Sequence, residues 1–143
     1  MSLILLGGIA GVVAGAVLLF LSHVAPRFSA GAFVRDVDAV RVFGREISRR
    51  EAHALGMLLH LALSFFFGAF FAFHVVQGVA SGFNPAPLAA YAILITLFTG
   101  GVVMPLEGHG LFGWKEDGWF MMDLLLTNAL WTVLYALIVR AWI

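Results

Sequence analysis

The chain has 143 residues, 62% of them hydrophobic and 11% charged, with 8 Lys and Arg balancing 8 Asp and Glu. A soluble domain averages roughly 45–50% apolar and about 25% charged residues, so one small core could not hide this much apolar surface and the composition implies a membrane-embedded protein. Zero net charge argues against a nucleic-acid partner, and the absence of cysteine excludes disulfides, iron–sulfur clusters and thiolate metal sites.

One domain fits this length. Residues 1–15 hold no Lys or Arg, so the basic start of a cleavable signal peptide is missing. Residues 2–24 form the first apolar run, long enough at 1.5 Å per residue to cross about 30 Å of hydrocarbon. Gly7, Gly11 and Gly15 recur at four-residue steps and mark one face as a glycine zipper. With no side chain there, a second helix can approach closely. The partner is either a helix of the same chain or one of a second copy. Pro26 closes the segment.

Residues 30–47 form the first loop, in which Arg35, Asp36, Asp38, Arg41, Arg45 and Glu46 alternate with Phe33, Val34, Val37, Val40 and Phe43. The spacing suits a short amphipathic segment on the membrane surface that stops at Gly44; a solvated connector is the alternative. Ser48 followed by Glu51 reads as a capping box before an apolar run. The second helix therefore spans residues 50–79, and its length requires tilt or protrusion. His53, His60 and His74 interrupt it at steps of seven and fourteen. A fourteen-residue step returns to within about 40° of one face and rises about 21 Å. The phenylalanines between Phe65 and Phe73 read as lipid- and partner-facing bulk, with an aromatic lining for a quinone or lipid tail as the sharper alternative.

An uncharged turn over residues 81–87 leads to the third helix, residues 88–106, where Gly100, Gly101 and Pro105 predict a kink or fray. Residues 107–118 form a second polar stretch with glycines at 108, 110, 113 and 118. One lysine against three carboxylates there makes a phosphate cradle a poor fit. The fourth helix covers residues 119–141, with Trp119 and Trp142 as interfacial anchors. The fold class is an all-α four-helix transmembrane bundle with a short amphipathic segment in the first cytoplasmic loop.

Lysine and arginine fix the expected orientation. Arg27, Arg35, Arg41, Arg45, Arg49, Arg50 and Lys115 fall on one side, Arg140 on the other. The positive-inside rule then places loops one and three in the cytoplasm and both termini outside, in a cytoplasmic-type membrane.

With that orientation, His23, His53, His60, Glu107, His109 and Asp123 converge on the cytoplasmic half. Imidazoles with carboxylates suit a divalent transition metal such as zinc, manganese or non-haem iron, although no tight ligand motif is present. His60 and His74 have thirteen residues between them, a spacing that resembles the haem helices of the cytochrome b family and implies haem b. That family needs two more histidines on a second helix, which only a symmetric dimer of this chain could supply. The plainer alternative is that the histidines are interfacial residues bonded to backbone or water, with His60 the hardest to explain so. A proton or ion path through Asp123, Asn128, Thr99 and His60 is a further option, and would require oligomers.

A glycine-rich first helix ending Ala25-Pro26-Arg27, a second helix with Leu58-Leu59-His60, a third ending Val102-Val103-Met104-Pro105, and Gly110-Leu111-Phe112-Gly113 resemble small uncharacterised four-helix membrane proteins of bacteria and archaea. That resemblance implies an architecture and carries no functional residue. No catalytic motif is present; Glu107, His109 and Asp123 could do acid–base work, but no nucleophile stands beside them. The expected function is helix–helix association in the lipid bilayer, as a homo-oligomer or an accessory subunit of a larger complex, with a metal- or haem-binding protein as the alternative.

Overall fold

The computed structural model describes residues 2–24, 41–42, 45–46, 48–116 and 118–143. Among them, four helices are long and apolar enough to cross a membrane: Leu3–Ser22, Glu51–Val76, Pro85–Glu107 and Phe120–Trp142. Most of the amphipathic segment expected over residues 30–47 lies outside the described residues. At its end β1 (Arg41–Val42) pairs antiparallel with β2 (Arg45–Glu46), Arg41 opposite Glu46, so this part is a strand pair and not a helix.

Helix α1 covers Leu3–Val24, and Ser2 Oγ accepts the Leu5 N–H at 3.3 Å before its first turn closes. Helix α2 covers Arg49–Val76 and starts at a complete capping box. The Glu51 N–H donates to Ser48 Oγ at 3.3 Å and the Ser48 N–H donates to Glu51 Oε2 at 3.0 Å. Two of the amide donors that a helix start leaves unmatched are thus satisfied. Past the end of α2, Gly78 at φ 73° lets the chain reverse so that Val79 and Ala80 both donate to the His74 carbonyl.

Helix α3 (Pro85–Phe98) begins on a proline, whose missing N–H would have had no partner in a first turn. Its span does not run on as regular α-helix. Thr99–Val103 is a π turn, in which the Met104 N–H reaches five residues back to the Thr99 carbonyl. Gly100 and Gly101 soften the backbone there, and Pro105 brings no N–H, so the ladder slips register at the weakest point. Helix α4 (Met104–Glu107) finishes the span and stops at Gly108, φ 92°. Helix α5 covers Phe120–Trp142.

The four spans form a closed ring. Helix α1 lies between α2 and α5, and α5 lies beside α3. The α2–α3 side is closed by Tyr91, whose hydroxyl donates to the Phe67 carbonyl at 2.7 Å, and by the Phe67 and Phe98 rings, 5.5 Å apart. The α1–α2 contact is the tightest. A Cβ on Gly7 would stand 2.6 Å from Ala72 Cβ, and one on Gly11 would strike the Ser64 carbonyl and stand 3.2 Å from Gly68 Cα. Gly68 is equally constrained by the Gly7 carbonyl and by Gly11 Cα. The glycine face is therefore turned onto α2 of the same chain.

Aromatic donors from α5 seal this crossing. The Trp131 indole N–H donates to the Gly11 carbonyl at 3.3 Å, and the Tyr135 hydroxyl donates to the Gly68 carbonyl at 2.8 Å. The two rings stack at 5.2 Å and 3°. Phe67 and Phe71 join this core, whereas Phe65, Phe66, Phe70 and Phe73 are exposed on the outer surface with Ile9, Val13, Ile93 and Leu137. The phenylalanine run thus divides between core and outer bulk. Tyr135→Phe keeps the ring but removes the interhelical bond. We expect it to lower stability by about 1 kcal/mol, measured as the unfolding midpoint in a denaturing-detergent titration.

Candidate functional site

A cavity of about 160 Å³ lies within the bundle and is lined from all four spans. It stands at the end where α1 finishes, α2 starts and α4 passes through a loop to α5. Helix α1 contributes Ser22, α2 contributes His60 and Ser64, and the π turn contributes Thr99. Glu107 comes from α4; Asp123, Thr127 and Asn128 come from α5. His60 and Ser64 share a face because they are one helical turn apart, as do Asp123 and Thr127.

The deep end is closed by apolar side chains. Leu63, Phe67, Ile95 and Trp131 line it, and beyond them Tyr135 is fully buried and Tyr91 and Phe71 nearly so. Asn128 Nδ2 donates to Thr96 Oγ1 at 3.1 Å, and Thr96 and Thr132 donate to the Ala92 and Asn128 carbonyls at 2.8 and 2.7 Å. These bonds settle Asn128, Thr96 and Thr132 beside the wall.

Gly15 helps to shape the wall. A Cβ there would stand 2.9 Å from Ser64 Cβ and 3.4 Å from His60 Nε2. The third glycine of the α1 face therefore leaves room for the imidazole and the hydroxyl. His60, whose depth in the bundle posed the sequence's main question, is a member of the cavity wall.

The other expected ligands are distributed differently. Glu107 and Asp123 line the cavity with His60, but His53, in the first turns of α2, does not. The side chain of His23 lies outside the described residues. His109 is 1% exposed and is held by a neighbour in its own loop, its Nδ1–H donating to Glu116 Oε1 at 2.7 Å. Among the described residues, no three His, Asp or Glu side chains gather closely enough to hold a metal ion. His74 is at the opposite end of α2, donating from Nδ1 to the Phe70 carbonyl at 2.8 Å, beside a separate apolar hollow lined by Phe71, Tyr91 and Leu94. His60 and His74 thus serve different hollows.

The 108–118 loop is a built structure that connects the two carboxylates. Phe112 takes a left-handed φ of 53° and lays its ring over Gly100 of the π turn, where a Cβ would stand 2.6 Å from Phe112 Cε1. A phenylalanine in that backbone region is strained, and the contact with Gly100 is what holds it. Lys115 Nζ donates to the Gly108 carbonyl at 3.2 Å. His109 Nε2 is buried with no hydrogen-bond partner among the described residues, so His109 depends on Glu116. Glu116→Ala leaves that buried imidazole without either bond. We expect a loss of roughly 1–3 kcal/mol, read as a lower melting temperature in detergent.

Comparison with protein families, with curated proteins and with solved structures gave no match. The function is therefore argued from the chain's own residues.

Proposed function

We propose that the protein is a small multi-pass membrane protein that binds a small cation inside its helix bundle. In this reading both termini are outside, loops one and three are in the cytoplasm, and the cavity occupies the cytoplasmic half. The excess of Lys and Arg around loops one and three supports that orientation.

The observation that carries the reading is the charge of the cavity wall. Glu107 and Asp123 line it beside His60. A carboxylate at a helix centre costs about 2.5–3.5 kcal/mol to insert, and less near the ends. Two of them around one hollow, beside an imidazole, form a set of donors that suits a small cation. The volume is well above the roughly 10–15 Å³ that admits one water, so the cation can keep part of its hydration. A three-ligand transition-metal centre is not supported, because the described ligands do not gather. Association through the glycine face loses its support as well, since that face is occupied by α2.

The test uses detergent-purified full-length protein. Its melting temperature is measured in chloride salts of sodium, magnesium, calcium and ethylammonium, with tetrabutylammonium chloride holding the ionic strength constant. A saturable rise with at least one of the smaller cations is expected. Identical melting curves in all of them would contradict the proposal.

A further inference from the structure

The second hollow has a volume of about 430 Å³ and shares no lining residue with the acidic cavity. It lies at the other end of the bundle, between α2 and α3, neighbours in the ring that do not pack closely along their length. Tyr91 and the Phe67–Phe98 pair close that seam toward the middle of the bundle. Beyond them, toward the turn at Gly78, the seam widens into the hollow. Phe71 and Tyr91 are buried and form its floor, whereas Phe70 and Leu94 stand exposed at its rim. The hollow therefore opens sideways onto the apolar outer surface. From Pro87 to Leu94 its wall follows α3 for two turns, about 10 Å. The volume falls within the roughly 300–1,000 Å³ typical of sites for organic ligands.

The polar chemistry of this wall is set by His74. Its Nδ1 lies 2.8 Å from the Phe70 carbonyl. A carbonyl oxygen only accepts, so Nδ1 carries the proton and the neutral ring has its lone pair at Nε2. The ring itself is held between two others, 4.3 Å from Phe70 and edge-on to Phe73 at 5.6 Å. Tyr91 brings a hydroxyl to the hollow's floor but commits it to the Phe67 carbonyl. The hollow thus presents aromatic faces and an oriented imidazole acceptor.

These features discriminate among apolar occupants. A plain acyl chain uses the walls and not the nitrogen. A quinone offers carbonyl oxygens, which would set lone pair against lone pair. A phenol brings a flat ring for the aromatic floor and an O–H for the acceptor.

We infer that this hollow binds a lipid-soluble phenol, the class that includes hydroquinones. The ring lies against Phe71 and Tyr91, the hydroxyl donates to His74 Nε2, and an apolar tail leaves between Phe70 and Leu94. The inference is independent of the cation site.

Calorimetric titration of the full-length protein in lipid nanodiscs tests it, with empty nanodiscs as the reference for partitioning. The probes are para-butylphenol, para-butylanisole and octanol. The anisole keeps the ring without the O–H, and octanol keeps the O–H without the ring. Butylphenol is expected to bind saturably, about fivefold to tenfold tighter than butylanisole and about twofold to tenfold tighter than octanol. His74→Phe keeps an aromatic ring and removes the acceptor. It is expected to bring butylphenol down to the affinity of butylanisole and to leave butylanisole unchanged, which also reports that the hollow is intact. Leu94→Trp fills the rim and is expected to weaken all three probes. Equal affinity for the phenol and its methyl ether, or an equal loss of both in His74→Phe, would overturn the bond to His74. Octanol binding as tightly as butylphenol would overturn the aromatic subsite. Uptake of every probe no greater than by empty nanodiscs would overturn the site.

Discussion

Gly11→Leu is expected to abolish the folded bundle, and Gly11→Ala to weaken it by about 2–3 kcal/mol. The reason is the backbone of α2. A Cβ on Gly11 meets the Ser64 carbonyl and lies 3.0 Å from the Ser64 carbonyl carbon and 3.2 Å from Gly68 Cα. None of these is a flexible side-chain end that could swing aside, so the helices must separate. Separation would also pull the Gly11 carbonyl from Trp131 and the Gly68 carbonyl from Tyr135. Overpacking a close contact usually costs 1–3 kcal/mol, and the bonds lost with it place Gly11→Ala toward the upper part of that range. Gly56→Ala is the control. A Cβ at Gly56 has no heavy atom within 4 Å, so the change is expected to be neutral or to stabilise by about 0.5–1 kcal/mol through reduced backbone entropy. Denaturing-detergent titration of the three variants, with size-exclusion chromatography, checks the series. Wild-type stability for Gly11→Leu would mean that α1 and α2 do not cross at Gly11.

The double variant Glu107→Gln, Asp123→Asn is expected to lose the stabilisation that a bound cation gives the wild type. A ligand at a hundred times its Kd stabilises the native state by about 2.7 kcal/mol, and the variant forfeits that contribution.

The architecture was largely legible because its signals are local. Long apolar runs gave the spans, Ser48 and Glu51 marked the start of α2, and the Gly100, Gly101 and Pro105 group marked the break in the third span, which proves to be a π turn. Depth and orientation grouped His60 with Glu107 and Asp123. Other features depend on three-dimensional packing that no spacing encodes. The glycine face could have met α2 or a second copy; the choice rests on Gly68 and Ala72 being small where α1 crosses, which matters only once the helices are paired. His109 was grouped with the cavity by its nearness to Glu107 in the chain. Phe112 and the glycines at 108, 110 and 113, all at positive φ, instead fold the loop so that His109 meets Glu116. Ser64 escaped notice because a lone serine in an apolar helix usually bonds to its own backbone. Its position four residues after His60 was the available signal. The aromatic donors Tyr91, Trp131 and Tyr135 each reach a carbonyl on a different helix, so chain order could not reveal them.

The most direct measurement is thermal unfolding of wild type and of the Glu107→Gln, Asp123→Asn variant across a titration of butylammonium chloride, with sodium and calcium chloride in parallel at matched ionic strength. A cation site in the cavity predicts that the wild-type melting temperature climbs and saturates with at least one of these salts, while the variant stays flat. Parallel curves for the two proteins in all three salts would contradict it.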